Sequence, residues 1–197
     1  MSNVVRDQIV EAASAVLRET GPAKMRVQEV ARRAGVSPTL LYYYFDGKHG
    51  LVAATYARDY AAILEEDRMV LREAMGTATD LDELMHHASV LLLDQSAPDR
   101  RKQRLAVLAT AQVDPVVAEA IQEPNRFHHQ QYIDAVEECR SRGWLDDSTD
   151  VHAMALLWMS LPFGLIFGDL DPTLSVNMGA LFASANAVRA IPQLDER

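Results

Sequence analysis

The sequence predicts an all-α protein of about nine helices, on three observations. Apolar residues recur at intervals of three and four along most of the chain. No run alternates apolar and polar residues between turns, as a half-buried strand would. Clusters of Gly, Pro, Asp and Ser interrupt the helical stretches at regular distances. With 49% apolar and 24% charged residues, the 197-residue chain has the composition of a folded globular protein rather than a disordered one. It holds no internal repeat and no low-complexity tract.

Taken in order, Ile9, Ala12, Ala13, Val16 and Leu17 make an amphipathic helix from Val4 to Thr20, ended by Gly21-Pro22. Val27, Val30 and Ala31 mark a short second helix, stopped by Gly35. Ser37-Pro38 then supplies an N-cap and a proline at the first helical position, where a missing N–H costs nothing. The third helix so started runs to about Tyr44. Asp46-Gly47 turns the chain into a long helical pattern from Lys48 to about Met75. Further breaks fall at 77–80, 96–99, 113–115, 142–150 and 168–172, and the last two helices are expected at about Val151 to Asp169 and Pro172 to Ala190.

The longest apolar stretch, Ala153 to Gly168, is shorter than the roughly 20 residues that span a bilayer, and Pro162 interrupts it. It reads as a buried helix, with no membrane partner. The first residues, MSNVVRDQIVEAA, lack the charged leader and apolar core of a secretion signal, so a cytoplasmic location is expected. Cys139, the single cysteine, forms no intrachain disulfide and reads as a buried, inert thiol.

A net charge of −9 argues against a nucleic-acid partner until its distribution is considered. Residues 1–50 carry seven Lys/Arg against five Asp/Glu, a balance of +2, while the remainder carries twelve against twenty-three, a balance of −11. Two short helices around a tight glycine turn are the architecture that puts a recognition helix into the DNA major groove. Leu41 and Phe45 fall on the inner face of the third helix, leaving Thr39, Leu40, Tyr43 and Tyr44 more outward and Tyr42 at the edge. Three consecutive tyrosines cannot all face inward on a helix, although any one of them alone suits a small core. Lys48 and Arg26 stand at helix starts, where a cation opposes the macrodipole. A phosphate at either position would reverse that balance.

The segment RVQEVARRAGVSPTLLYYYFDGKHGL resembles the N-terminal signature of the TetR family of transcriptional regulators. The resemblance covers about the first 50 residues by motif and the remainder by length and helical architecture. It implies a DNA-binding domain over residues 1–48 and a helical effector-binding and dimerisation domain over 49–197. It further implies that Thr39, Leu40 and Tyr43 approach base edges of a double-stranded, pseudo-palindromic operator, while Arg26, Ser37, Tyr42, Tyr44 and Lys48 hold phosphates. Arg26 stands where the family favours threonine, Thr39 where it often has glycine, and Tyr44 where histidine is common. The operator sequence is therefore not carried over from a relative.

The same resemblance implies a homodimer joined through the last two helices and a repressor released by a small, largely apolar effector. Methionine and aromatic side chains build adaptable apolar sites, which makes Met69, Met85, Leu92, Phe127, Trp158, Met159 and Phe163 candidate lining residues. His87, His128 and Tyr132 are the polar candidates among them. The pairs His86-His87 and His128-His129 point about 100° apart on a helix and lack metal-ligand geometry, so neither a metal nor a cofactor is expected. The run RRKQR, Arg100 to Arg104, reads as a solvated, salt-bridged helix start, or less simply as a contact to the DNA-binding module. Two other functions stand beside the regulator: a helical ligand-binding dimer that does not touch DNA, and a small enzyme using His87 or His128 as base. No nucleophile elbow, phosphate loop or metal-ligand spacing supports the enzyme.

Overall fold

The computed structural model describes residues 2–171 and 173–174. Among them there is no strand, and the helices are α1 (Ser2–Lys24), α2 (Val27–Ala34), α3 (Pro38–Phe45), α4 (Gly47–Thr77), α5 (Leu81–Leu92), α6 (Ala97–Ala111), α7 (Pro115–Ser141), α8 (Val151–Gly164) and α9 (Ile166–Leu170). The chain forms two compact units, one of Met1–Glu65 with Gln103–Phe127, the other of Glu66–Lys102 with the described residues from His128 onward. Residues 2–48 of the expected DNA-binding domain fall within the first.

In the first unit, α1 is broken at Gly21, whose φ of 72° and ψ of 165° lie outside the helical region. The first straight helix therefore stops where Gly21-Pro22 predicts. Ile9, Val16, Val30, Leu41, Phe45 and Leu51 bring α1 to α4 onto one core, each of them 5% exposed or less. Arg33 ties α2 to α1 through a two-pronged ion pair with Glu19, both bonds 2.7 Å. A second cluster, Tyr60, Leu64, Val107 and Ile121, packs α4 against α6 and α7. The Tyr60 hydroxyl adds a 3.0 Å hydrogen bond to Asn125 Oδ1.

In the second unit, Leu84, Val136, Cys139, Ala155 and Trp158 belong to a core built by α4, α5, α7 and α8. Cys139 is fully buried, and burial pushes its thiol up to about 11, which keeps it protonated and unreactive at neutral pH. The expected helix from Val151 to Asp169 is two helices instead, with Leu165 between α8 and α9. Pro162 removes one backbone donor and Gly164 weakens the last turn of α8. Leu165 nevertheless keeps helical dihedrals (φ −71°, ψ −17°), its N–H bonding to Leu161 O at 3.3 Å and its carbonyl accepting the Asp169 N–H at 3.2 Å, so the two helices follow one another across this single residue. Val151–Leu170 is long and apolar enough to cross a bilayer by length and composition, but only 28% of it is buried within the chain. Leu156 and Phe167, at 62% and 69% exposure, correct the expectation of a wholly buried helix. The helix expected from Pro172 to Ala190 lies outside the described residues.

Candidate nucleic-acid interface and ligand cleft

The turn between α2 and α3 is assembled from local signals. Gly35 takes the left-handed conformation (φ 66°, ψ 29°) that ends α2, and the Val36 N–H closes the turn on Ala31 O at 3.0 Å. Ser37 caps α3, its hydroxyl accepting the Leu40 N–H at 3.2 Å. Asp46 at φ 50° and Gly47 at φ 91° then reverse the chain into α4. Gly50 is required in the first turn of α4, because a Cβ there would lie 1.8 Å from the Phe45 carbonyl oxygen.

With Leu41 and Phe45 buried, Thr39, Tyr42 and Tyr43 form the exposed face of α3, and Tyr43 is 81% exposed. Tyr42 lies along the α4 start, its ring carbon Cε1 3.7 Å from where a Gly47 Cβ would be. Leu40 is half-buried. Tyr44 is also half-buried and packs on the core of the first unit, because positions 41, 44 and 45 share one helical stripe. Tyr44 is thus less outward than its place in the motif suggests.

Arg26 stands at the N-cap position of α2 with no capping bond from its side chain, and is exposed. Lys48 has a structural partner: Nζ donates to Ala23 O at 3.0 Å, which fastens the start of α4 to the end of α1. A free carbonyl at a helix end accounts for a cation that helix electrostatics alone do not. Next to it, His49 Nε2 and Asp114 Oδ2 lie 2.7 Å apart, and Asp114 also accepts the Val116 N–H at the start of α7. The His49 hydrogen bond, with the backbone donors behind it, holds the Asp114 carboxyl below its ordinary value. This link joins positions 65 residues apart, and no local pattern announces it.

The second unit contains a cleft of about 700 Å³, part of it open to solvent. Of the ten sequence candidates, Leu92, Tyr132 and Trp158 line it. His128 is buried beside it, its ring edge-on to Tyr132 at 4.9 Å. Met85 belongs to the core, and the His87 ring nitrogen Nδ1 is 3.1 Å from the Thr77 hydroxyl. Met159 and Phe163 are half-buried and outside the lining. Met69 and Phe127 are on the surface, at 51% and 58% exposure. The remaining walls are Val70, Leu71, Ala88 and Leu161, together with a charged group of Glu66, Asp67, Asp94 and Arg100.

The basic run at the start of α6 differs from expectation. Arg101 is 7% exposed, pairs through two nitrogens with Asp169 and donates to Leu92 O at 2.6 Å; Arg104 is 3% exposed. Arg100 lies 3.0 Å from Asp94 Oδ2. Arg101 is built into the protein rather than solvated, because its guanidinium reaches the Asp169 carboxylate, 68 residues away, while Arg100 is held by Asp94, six residues before it.

Comparison with known proteins adds to this geometry. Residues 9–55 match the family model described as bacterial regulatory proteins, tetR family. The HTH-type transcriptional regulator BetI of Rhizobium meliloti (strain 1021) is 33% identical over 112 residues, 57% of this chain and 54% of the relative. That match spans about half the length of the curated relative. Two solved structures share the fold: a transcriptional regulator from Saccharomonospora viridis in complex with choline, and the regulator FadR from Bacillus subtilis in complex with stearoyl-CoA. Their TM-scores are 0.62 and 0.57, with 17% and 18% identity; the first covers 95% of both chains, the second 93% of this chain and 96% of its own. The matched segment contains the whole turn between α2 and α3 and the start of α4, so over residues 9–55 the chain is similar to the tetR family of bacterial regulatory proteins.

Proposed function

We propose that the protein is a homodimeric repressor that binds a pseudo-palindromic operator through α3 and leaves it when a small molecule occupies the cleft of the second unit. The observation that carries this reading is the outer face of α3. Thr39, Tyr42 and Tyr43 stand exposed on a short helix whose inner face and both ends are fixed. Hydroxyls there reach phosphates and base edges without requiring positive charge. Arg26 and Lys48 flank that face at two helix starts, and residues 1–48 act as the DNA-binding module with 49–197 as the effector and dimer body.

Dimerisation is assigned to the apolar surface of α8 and α9, where Leu156, Phe167 and Leu170 are 62%, 69% and 79% exposed. Two such faces covering each other remove hydrocarbon from water and give the two-fold symmetry that a palindromic site requires. Release follows if the ligand prefers a conformation in which the two recognition helices no longer match successive major grooves. Choline and stearoyl-CoA, bound by the two solved regulators, are so different that the fold leaves the effector open.

A gel-shift screen of DNA flanking the gene tests the DNA reading. Binding is expected to weaken steeply with salt. Tyr42→Phe combined with Lys48→Ala should reduce operator affinity by about tenfold or more, with dimerisation intact. A protein that dimerises and binds ligand yet shows no salt-sensitive DNA binding would be the ligand-binding dimer instead.

A further inference from the structure

We infer that Arg6, near the start of α1, is a DNA-binding residue that holds a phosphate at the border of the groove entered by α3. This rests on the DNA-binding reading above and adds to it a contact from a helix outside the two-helix turn. The Arg6 guanidinium carbon lies over the Phe45 ring, 5.3 Å from its centroid, and the Arg6 side chain is exposed. Phe45 is the last residue of α3 and 5% exposed, so the ring that carries Arg6 is fixed in the core of the first unit.

The way Arg6 is held sets it apart from its neighbours. Arg32 donates to Glu29, Arg33 to Glu19 and Arg58 to Glu11, so those guanidinium edges are occupied. Arg6 forms no hydrogen bond or ion pair among the described residues. A cation over a ring face gives up none of its N–H donors to that contact, and a guanidinium binds a phosphate along its edge. Phe45 therefore orients Arg6 and leaves open the donors that a phosphate takes. Helix electrostatics draw Arg6 to the same place, since α3 has no basic residue in its own last turn. That attraction does not use the N–H edge either.

The position suits the role. Rings step from the outer face of α3 toward Arg6: Tyr43 to Tyr44 at 5.4 Å, Tyr44 to Phe45 at 6.2 Å, then Phe45 to the guanidinium. Arg6 thus stands beside the C-terminal end of α3. With α3 in a major groove about 12 Å wide, phosphates border the helix on both sides at comparable distances. Each phosphate neutralised releases condensed counterions, so losing one contact flattens the dependence of affinity on salt, which loss of packing does not.

The test uses the full-length protein and a duplex that it selects from a random-sequence pool, titrated by fluorescence anisotropy at salt concentrations from about 0.05 to 0.4 M. Arg6→Ala, its folding checked by circular dichroism, should bind about fivefold or more weakly per half-site at about 0.1 M salt. The slope of log affinity against log salt should flatten by about 0.9 per half-site. Arg6→Lys, which keeps the charge without the fork, should restore the slope. Arg126→Ala removes an equal charge from the exposed face of α7 and should leave the slope unchanged. Its neighbour Asn125 meets Tyr60, about 18 Å along α4 from Lys48. If Arg6→Ala does not fold, Arg6→Gln carries the same expectations. A slope that Arg6→Ala leaves unchanged, or that Arg6→Lys or Arg126→Ala flattens as much, overturns the phosphate assignment and leaves the DNA reading standing. A pool from which the unaltered protein selects nothing overturns both.

Discussion

Gly50 is the residue with the least obvious constraint and the sharpest consequence. Glycine inside a helix normally weakens it, so replacement by alanine is expected to stabilise by about 0.5–1 kcal/mol. Here the sign reverses, because the added Cβ meets the Phe45 carbonyl oxygen at 1.8 Å, a backbone atom that cannot turn aside. Gly50→Ala should cost more than about 2 kcal/mol in denaturant unfolding and lower operator affinity, since relief of the clash moves α3 against α4. An unchanged unfolding midpoint would show that the two helices do not approach so closely. Lys48 and Tyr44 divide differently from their places in the motif. The first has a carbonyl partner at 3.0 Å and the second packs half-buried on the core, so each combines a structural role with its proposed phosphate contact.

At the scale of elements, α1 and α2 are held together by charge as well as by Val16 and Val30. Hydrogen bonds from Arg32 and Arg33 hold the Glu29 carboxyl far below its ordinary value of 4.5, at about 2, and a hydrogen bond from Arg33 lowers Glu19. A carboxylate with a depressed folded value stabilises fully above its unfolded value and loses that contribution as pH falls through the folded one. The thermal midpoint of the protein should therefore exceed that of Arg33→Ala by a steady margin above about pH 4.5. The margin should shrink as pH falls toward 2, and it should be modest throughout because these pairs are exposed to water. A margin that grows on acidification would exclude the staple. The His49–Asp114 contact behaves with the same sign, since Asp114 too is held below its ordinary value.

For the whole molecule, the proposed dimer rests on the apolar face of α8 and α9. Leu156 is 62% exposed in the single chain. Under the proposed dimer, Leu156→Glu should give a helical monomer in sedimentation velocity where the unaltered protein is dimeric, and operator affinity should fall by about tenfold or more with loss of the second half-site. A variant that remains dimeric places the interface elsewhere. The charge division belongs to this scale as well: residues 1–50 carry +2 and the remainder −11, so the acidity of the chain lies outside the segment proposed to bind DNA.

Most helices of the first 164 residues, the turn between α2 and α3 and the likeness to the tetR family were legible in the sequence, because caps, left-handed glycines and the 3.6-residue period act within a few neighbouring positions. The sequence also placed Leu92, Tyr132 and Trp158 among the cleft candidates by side-chain type. That Glu66, Asp67, Asp94 and Arg100 share that cleft, that Met69 and Phe127 lie on the surface, and that His49 meets Asp114 could not be read from local pattern. Those facts depend on which helical faces meet across gaps of tens of residues. A period shows that a helix has an inner face, but the identity of the neighbour on that face is set by packing of the whole unit.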